Sequence, residues 1–147
     1  LKKDWTIWEP AAGKGNLVSA LQANGFRVVA SDILTGCDFL LESKEYEAQY
    51  DCIITNPPYS LKQGFLERCY ALSKPFALLL PLTALETTKR QDLYRRYGLE
   101  IILMPKRVNF ETPSGNGKSS WFATAWFTNG LGIGCQLTFS SNKRQDT

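Results

Sequence analysis

The sequence of 147 residues contains no histidine. This absence excludes serine–histidine triads, cysteine–histidine zinc sites and imidazole acid–base catalysis, so any chemistry must run without imidazole. The four cysteines, Cys37, Cys52, Cys69 and Cys135, form no C-x-x-C pair. We therefore expect them to be small core residues in a reducing cytoplasm.

Long apolar runs are also missing. The longest, Phe76–Leu80, is far too short to cross a bilayer, and no basic-then-apolar leader opens the chain. We expect a soluble, unexported protein, and Leu1 in place of methionine indicates a trimmed or partial chain. A hydrophobic content of 44% over 147 residues predicts one core and a single domain over residues 1–147.

The chain has little excess charge, with a net charge of only +3. That charge is uneven. Residues 1–88 hold eight Lys or Arg against ten Asp or Glu, whereas residues 89–147 hold nine against four. The basic C-terminal part is compatible with a nucleic-acid partner and equally with an ordinary solvated surface.

The most distinctive stretch is Asn56-Pro57-Pro58-Tyr59, which closes the apolar run Cys52–Thr55. A short β-branched run that stops at two prolines is typical of a buried strand, because proline cannot donate to a sheet ladder. The stretch is therefore expected at the carboxyl end of a strand, where ligands bind in open parallel sheets. The Asn56 side-chain oxygen and the Pro57 carbonyl are acceptors and the Tyr59 ring offers a stacking face, which fits an adenine edge. The alternative is an ordinary proline-rich turn.

A strand, a glycine loop and a helix precede this stretch. Thr6–Trp8 is predicted as a strand that leads into Glu9–Gly15, with the sequence EPAAGKG, and helical spacing of apolar residues follows. Arg27–Ser31 is a second predicted strand, and it ends at Asp32, 17 positions after Gly15. This is similar to the dinucleotide-binding arrangement, in which glycines let the backbone approach the ligand and a carboxylate binds ribose hydroxyls.

The remaining elements alternate between strands and helices, which predicts an α/β fold with a parallel sheet covered on both faces. Further strands are predicted at 76–80, 100–104 and 121–127, and helices after Ser60 and after a capping box at Thr83–Glu86. Asn129-Gly130 predicts a hairpin turn before a strand at 131–139. Residues 105–120 are predicted to form a loop, in which 114–119 lacks the leading glycine and the following helix of a phosphate loop.

Taken together, these motifs resemble the S-adenosylmethionine-dependent N6-adenine DNA methyltransferases, notably the small phage and prophage type. The resemblance rests on Asn56–Tyr59, Glu9–Gly15, Asp32 and Asp38, and it covers about Trp5 to Phe127. It implies a Rossmann-like class I methyltransferase fold with strand order 3-2-1-4-5-7-6, in which the third strand must be vestigial and the strand at 121–127 lies antiparallel between two neighbours, which leaves residues 131–139 either to pack elsewhere or to alter the sheet edge. It also implies a single catalytic domain without a target-recognition domain, in the cytoplasm of a bacterial or phage-infected host cell.

The resemblance also implies roles for individual residues. S-adenosylmethionine would contact Glu9 through its methionine part, Asp32 through its ribose and Asp38 through its adenine amino group, with Phe39 packed on that adenine. The further cofactor-binding residues that it implies are Pro10, Ala11, Gly13, Gly15, Ile33 and Asn56. The catalytic residues that it implies are Asn56, Pro57, Pro58 and Tyr59, which would accept from the target nitrogen and stack on a flipped base. Asp32 and Asp38 could instead be turn caps, and Phe39 could be a core residue.

DNA is the expected partner, and no metal is expected. If the strand at 100–104 is parallel, the loop after it leaves the same edge of the sheet, which places Lys106, Arg107 and Lys118 to contact phosphates. Arg95 or Arg96 on the preceding helix could do the same. Three alternatives remain open: an N5-glutamine methyltransferase acting on proteins, which shares Asn-Pro-Pro-Tyr, an RNA adenine methyltransferase, and an inactive binding module on this fold.

Overall fold

The computed structural model describes residues 1–41, 49–106 and 123–134, together with the backbone of 137–139. Seven strands form one sheet: β1 (Thr6–Glu9), β2 (Arg27–Ala30), β3 (Cys52–Thr55), β4 (Phe76–Pro81), β5 (Glu100–Leu103), β6 (Thr124–Asn129) and β7 (Leu137–Phe139). Within the described residues, three α-helices accompany it: α1 (Asn16–Ala23), α2 (Lys62–Leu72) and α3 (Thr88–Tyr97).

The strand order is β2-β1-β3-β4-β6-β5-β7. The pairs β1–β2, β1–β3, β3–β4 and β5–β7 are parallel, and β6 is antiparallel between β4 and β5. This confirms the predicted methyltransferase order, with β3 and β4 as its fourth and fifth strands, β5 as its sixth and β6 as its seventh. The vestigial third strand is absent from residues 31–41, and residues 42–48 lie outside the described part of the chain.

The end of the chain does not form the hairpin that Asn129-Gly130 predicts. Gly130 turns the chain with a φ of 74°, but residues 131–134 contain no strand, and β7 pairs with the outer edge of β5 from Ile101↔Leu137 onwards. The hairpin prediction is wrong because both edges of β6 are already paired, with β4 and with β5. The next strand therefore adds to the free edge of β5 instead.

The core lies on both faces of the sheet because side chains along each strand alternate between them. On one face, Trp8, Ile53 and Leu78 are buried with residues of α2 and α3. On the other face, Ile7 and Ile54 are buried against the apolar side of α1. Helices therefore cover both faces, as predicted. No helix among the described residues has the length and apolar character that a membrane crossing requires.

Two helix starts differ from their predictions. Ser60 does not cap α2, because a 3-10 turn at Tyr59–Leu61 comes first and closes with a bond from the Leu61 N–H to the Pro58 carbonyl of 2.9 Å. The predicted capping box at Thr83–Glu86 is likewise a 3-10 turn, closed by the Glu86 N–H. The cap of α3 is Thr87, whose hydroxyl accepts from the Arg90 N–H at 3.4 Å.

Candidate active site at the carboxyl rim

The candidate site lies where β1, β2, β3, β4 and β5 end, since these strands all point the same way. We call this edge, marked by Pro10, Asp32, Asn56, Leu82 and Met104, the carboxyl rim. In open α/β sheets, ligands bind in the crevice outside the carboxyl ends of the strands. The topology therefore brings the glycine loop, Asp32 and the Asn-Pro-Pro-Tyr stretch to one edge of the sheet.

Asp32 holds the glycine loop. One carboxylate oxygen accepts from the Gly13 N–H at 2.9 Å, and the other accepts from the Leu34 N–H at 2.9 Å. Gly13 and Gly15 have φ values of 50° and 84°, which favour glycine, and a Cβ built at either position would meet no atom within 4 Å. The glycine loop therefore borders open space. Asp32 also caps the 3-10 turn that follows it, and each of its carboxylate oxygens can still accept from a second donor.

Glu9 is the most buried charged group at the rim, with 1% of its surface exposed. One carboxylate oxygen accepts from the Ala11 N–H at 2.9 Å and from the Thr55 hydroxyl. The pKa of Glu9 is raised to about 7, chiefly by burial and in smaller part by the Asp32 charge, while the Thr55 hydroxyl, the Ala11 N–H and the Asn56 N–H act to lower it. Little of this carboxylate is left to contact a ligand.

The Asn-Pro-Pro-Tyr stretch combines a fixed backbone with an accessible amide. Asn56 and Pro58 are exposed, whereas Pro57 is buried directly after the buried strand β3. The half-buried Tyr59 ring packs against the core, and burial raises the pKa of its phenol to about 12, so the ring is neutral at physiological pH. Lys62 donates to the Tyr59 carbonyl at 3.3 Å and so brings an ammonium group to the motif.

The two residues predicted to bind the cofactor's adenine have different surroundings. The half-buried Asp38 forms a turn cap, in which its carboxylate accepts from the Leu40 N–H at 2.9 Å. Phe39 is only 3% exposed and packs edge-on against Trp8, with ring centroids 5.2 Å apart. Phe39 is therefore a core residue in this structure, whereas Ile33, 63% exposed beside Asp32, has apolar surface available for a ligand.

The predicted phosphate contacts divide into three groups. Lys106 is exposed and follows β5, which is parallel as the prediction required, so it lies at the carboxyl rim. Arg107 and Lys118 lie outside the described residues. Arg95 and Arg96 are in the last turn of α3, at the end away from the rim.

Sequence reasoning missed Lys62 and Arg90 as rim cations. Both lie in the first turns of helices that run back from the carboxyl rim, α2 and α3. Arg90 is fixed there by bonds to the Ala84 carbonyl at 3.0 Å and to the Gln63 side chain at 3.3 Å. The signal that could have found them is positional, because a helix that follows a parallel strand begins at that strand's carboxyl end.

Comparison with known proteins identifies the fold. No family model matches the sequence, and no curated protein sequence matches it. A protein from Agrobacterium tumefaciens predicted to be an O-methyltransferase superposes with a TM-score of 0.57 and 19% identity, covering 92% of this chain and 77% of that one. A Listeria monocytogenes protein assigned to the class I S-adenosylmethionine-dependent methyltransferases superposes with a TM-score of 0.59 and 15% identity.

The chain has the class I methyltransferase fold. It covers 58% of the Listeria protein's length, with 95% of its own residues in the match. Among the described residues, no group of three or more acidic or cysteine side chains is placed to hold a metal ion. The carboxyl rim carries an open glycine loop, the Asp32 carboxylate and an exposed polar stretch after β3.

Proposed function

We propose that this chain transfers a methyl group from S-adenosylmethionine to the exocyclic N6 of adenine in DNA. The observation that carries the proposal is the exposed Asn56 amide, fixed at the carboxyl rim by the buried Pro57 and next to the glycine loop held by Asp32. A methyl acceptor held at Asn56 would face a donor held by the loop. The fold of the chain agrees with this arrangement.

The cofactor site that we propose is formed by the turn after β1 and the two acids that follow β2. Asp32 would accept from the ribose hydroxyls with the lone pairs that its backbone bonds leave available. Pro10, Ala11, Gly13 and Gly15 would line the methionine side, and Asp38 and Ile33 would border the adenine. Phe39 would support Asp38 from the core, since its ring packs on Trp8.

The chemistry asks little of the protein beyond positioning and charge stabilisation. The cofactor supplies an electrophilic methyl group on a sulfonium. The adenine nitrogen is a poor nucleophile because its lone pair is delocalised into the ring. The Asn56 side-chain oxygen and the Pro57 carbonyl would accept from its two N–H groups and stabilise the positive charge that develops on it. Transfer would leave S-adenosylhomocysteine, and the methylated nitrogen would lose one proton to water, so no general base is needed, in agreement with a chain that has no histidine.

Access to the target nitrogen requires the base to leave the duplex stack, at a cost on the order of a few kcal/mol. The Tyr59 ring, neutral and half-buried, would stack on the flipped base and offset part of that cost. Lys106, Arg107 and Lys118 would contact backbone phosphates, and Lys62 and Arg90 add two cations on the same rim. Lys89 is not counted with them, because it pairs with Glu67 at 2.9 Å.

The test is methyl transfer from labelled S-adenosylmethionine to single-stranded DNA, duplex DNA, RNA and protein, with digestion to identify the product. N6-methyladenine in DNA supports the proposal, whereas label in RNA adenine or in protein glutamine assigns the site to another acceptor. Cofactor binding without transfer to any of them assigns an inactive binding module. Asn56→Ala should abolish most of the transfer, and Asn24→Ala, at the far end of α1, is the matched control.

A further inference from the structure

We propose that Glu9 and Thr55 are positioning residues that connect the cofactor loop to Asn56, so that cofactor binding and the placement of the target amide depend on one buried carboxylate. This inference rests on the proposed function and refines it. It gives Glu9 a role other than direct contact with the methionine part of the cofactor. Thr55 has no role in the proposed chemistry other than this one.

The first argument is the set of contacts. Glu9 is the last residue of β1 and Thr55 the last residue of β3, and these strands are neighbours in the sheet. Both side chains are buried, with 1% and 0% of their surface exposed. The Glu9 carboxylate accepts from the Ala11 N–H at the start of the cofactor loop and from the Thr55 hydroxyl directly before Asn56.

The second argument is that the Glu9 carboxylate lies against the peptide that carries Asn56. The Asn56 N–H also lowers the pKa of Glu9, so the Thr55 side chain and the Asn56 backbone both lie against the same carboxylate. Asp32 ties the loop to β2 through Gly13, on the opposite side from β3. A shift of the loop on cofactor binding would therefore reach Asn56 through Glu9.

The third argument concerns charge. The charged group that faces Glu9 is Asp32 at the end of β2, while the groups that face it from β1 and β3 are neutral donors. A cationic ligand bound over the loop would favour the ionised form of Glu9. The cofactor carries such a charge on its sulfonium, so binding should release a proton. The affinity should then rise with pH until Glu9 of the free protein is ionised, near pH 7, and level off above it.

The experiment compares Thr55→Val with Thr124→Val and adds Glu9→Gln. Thr124 is the matched control, because it is also a buried strand threonine and its hydroxyl has no hydrogen-bond partner among the described residues. Calorimetry measures cofactor affinity from pH 5.5 to 8, and transfer assays give kcat and KM separately. Folding of each variant is checked by circular dichroism and by its unfolding transition.

We expect the wild type to bind more tightly as pH rises and Glu9→Gln to show a flat profile. Thr55→Val should move the midpoint to higher pH, because the hydrogen bond that lowers the pKa of Glu9 is lost. It should also reduce kcat on the order of 10²-fold at nearly constant KM, as expected for a misplaced reacting group. Thr124→Val should leave both the midpoint and kcat unchanged.

Failure of this inference is distinguishable from failure of the proposed function. If the wild type binds no cofactor or transfers no methyl group, the proposed function fails. If the wild type binds and transfers, but Thr55→Val behaves like Thr124→Val, the connection through Thr55 is wrong. If Glu9→Gln keeps the wild-type pH profile of affinity, Glu9 does not carry the linkage. Should Glu9→Gln fail to fold, Thr55→Val decides alone.

Discussion

The buried Glu9 carboxylate predicts an unusual pH dependence of stability for the protein without any ligand. Its pKa is raised from the ordinary 4.5 to about 7, so the folded protein binds this proton more tightly than the unfolded chain does. The stabilisation by protonated Glu9 is therefore fully present below about pH 4.5 and is lost as pH rises through about 7. This is opposite to the ordinary behaviour of a paired surface carboxylate.

The magnitude follows from that difference. The interval from 4.5 to about 7 spans roughly 2.5 pH units, which at 1.36 kcal/mol per unit amounts to about 3 kcal/mol of unfolding free energy. Glu9→Gln keeps the size of the side chain and an acceptor oxygen for Ala11 and Thr55 but does not titrate. The wild type should therefore lose about 3 kcal/mol relative to Glu9→Gln between pH 4.5 and 7.5.

The assay is urea unfolding of both proteins at several pH values between 4.5 and 8, with the difference in unfolding free energy plotted against pH. Taking the difference removes the titration of all other groups. Glu67→Gln is the control, since hydrogen bonds from Lys89 and Gln63 lower the pKa of Glu67 from 4.5, so its difference from the wild type should change only at the acid end of this range and below it. A difference between wild type and Glu9→Gln that stays constant over this range would refute the reasoning.

Four further predictions follow from the site. Asp32→Ala should weaken S-adenosylmethionine binding in calorimetry without unfolding the domain, and an unchanged affinity would remove Asp32 from the site. Asn56→Ala should reduce turnover on the order of 10²- to 10³-fold with nearly intact cofactor affinity, and near-normal turnover would contradict the adenine-site assignment. Tyr59→Ala should lose less activity on single-stranded DNA than on duplex, whereas equal losses would argue against stacking on a flipped base. Lys106→Gln should weaken binding of unrelated DNA sequences alike and flatten the salt dependence, unlike Arg96→Gln at the far end of α3; an effect on one sequence only would make Lys106 a base reader.

Much of the fold could be predicted because its signals are local. The run Cys52–Thr55, which two prolines follow closely, is β3 with the same bounds. Helix α1 begins at Asn16, directly after the glycine loop that follows Glu9. The wrong predictions have two causes. One depended on which strands pair in the sheet, and the other on a choice between two local structures for the same residues. Asn129-Gly130 has the chemistry of a hairpin turn, but pairing of β6 on both sides decides where the next strand goes. Thr83 begins a capping-box pattern, yet the chain closes a 3-10 turn there and starts α3 at Thr88.

The candidate site shows the same division more sharply. The sequence patterns predicted that Glu9, Asp32 and Asn56 lie at one edge of the sheet, because the end of a strand can be predicted from the residues of that strand alone. They could not say that Glu9 would face Thr55, 46 residues away, since that contact exists only after β1 and β3 pair. Nor could they give the burial that raises the pKa of Glu9, because burial depends on what the neighbouring strand and loop cover. An acid at a strand end is therefore ambiguous in sequence: Asp32 remains partly exposed and able to bind a ligand, whereas Glu9 holds the backbone to which a ligand would bind.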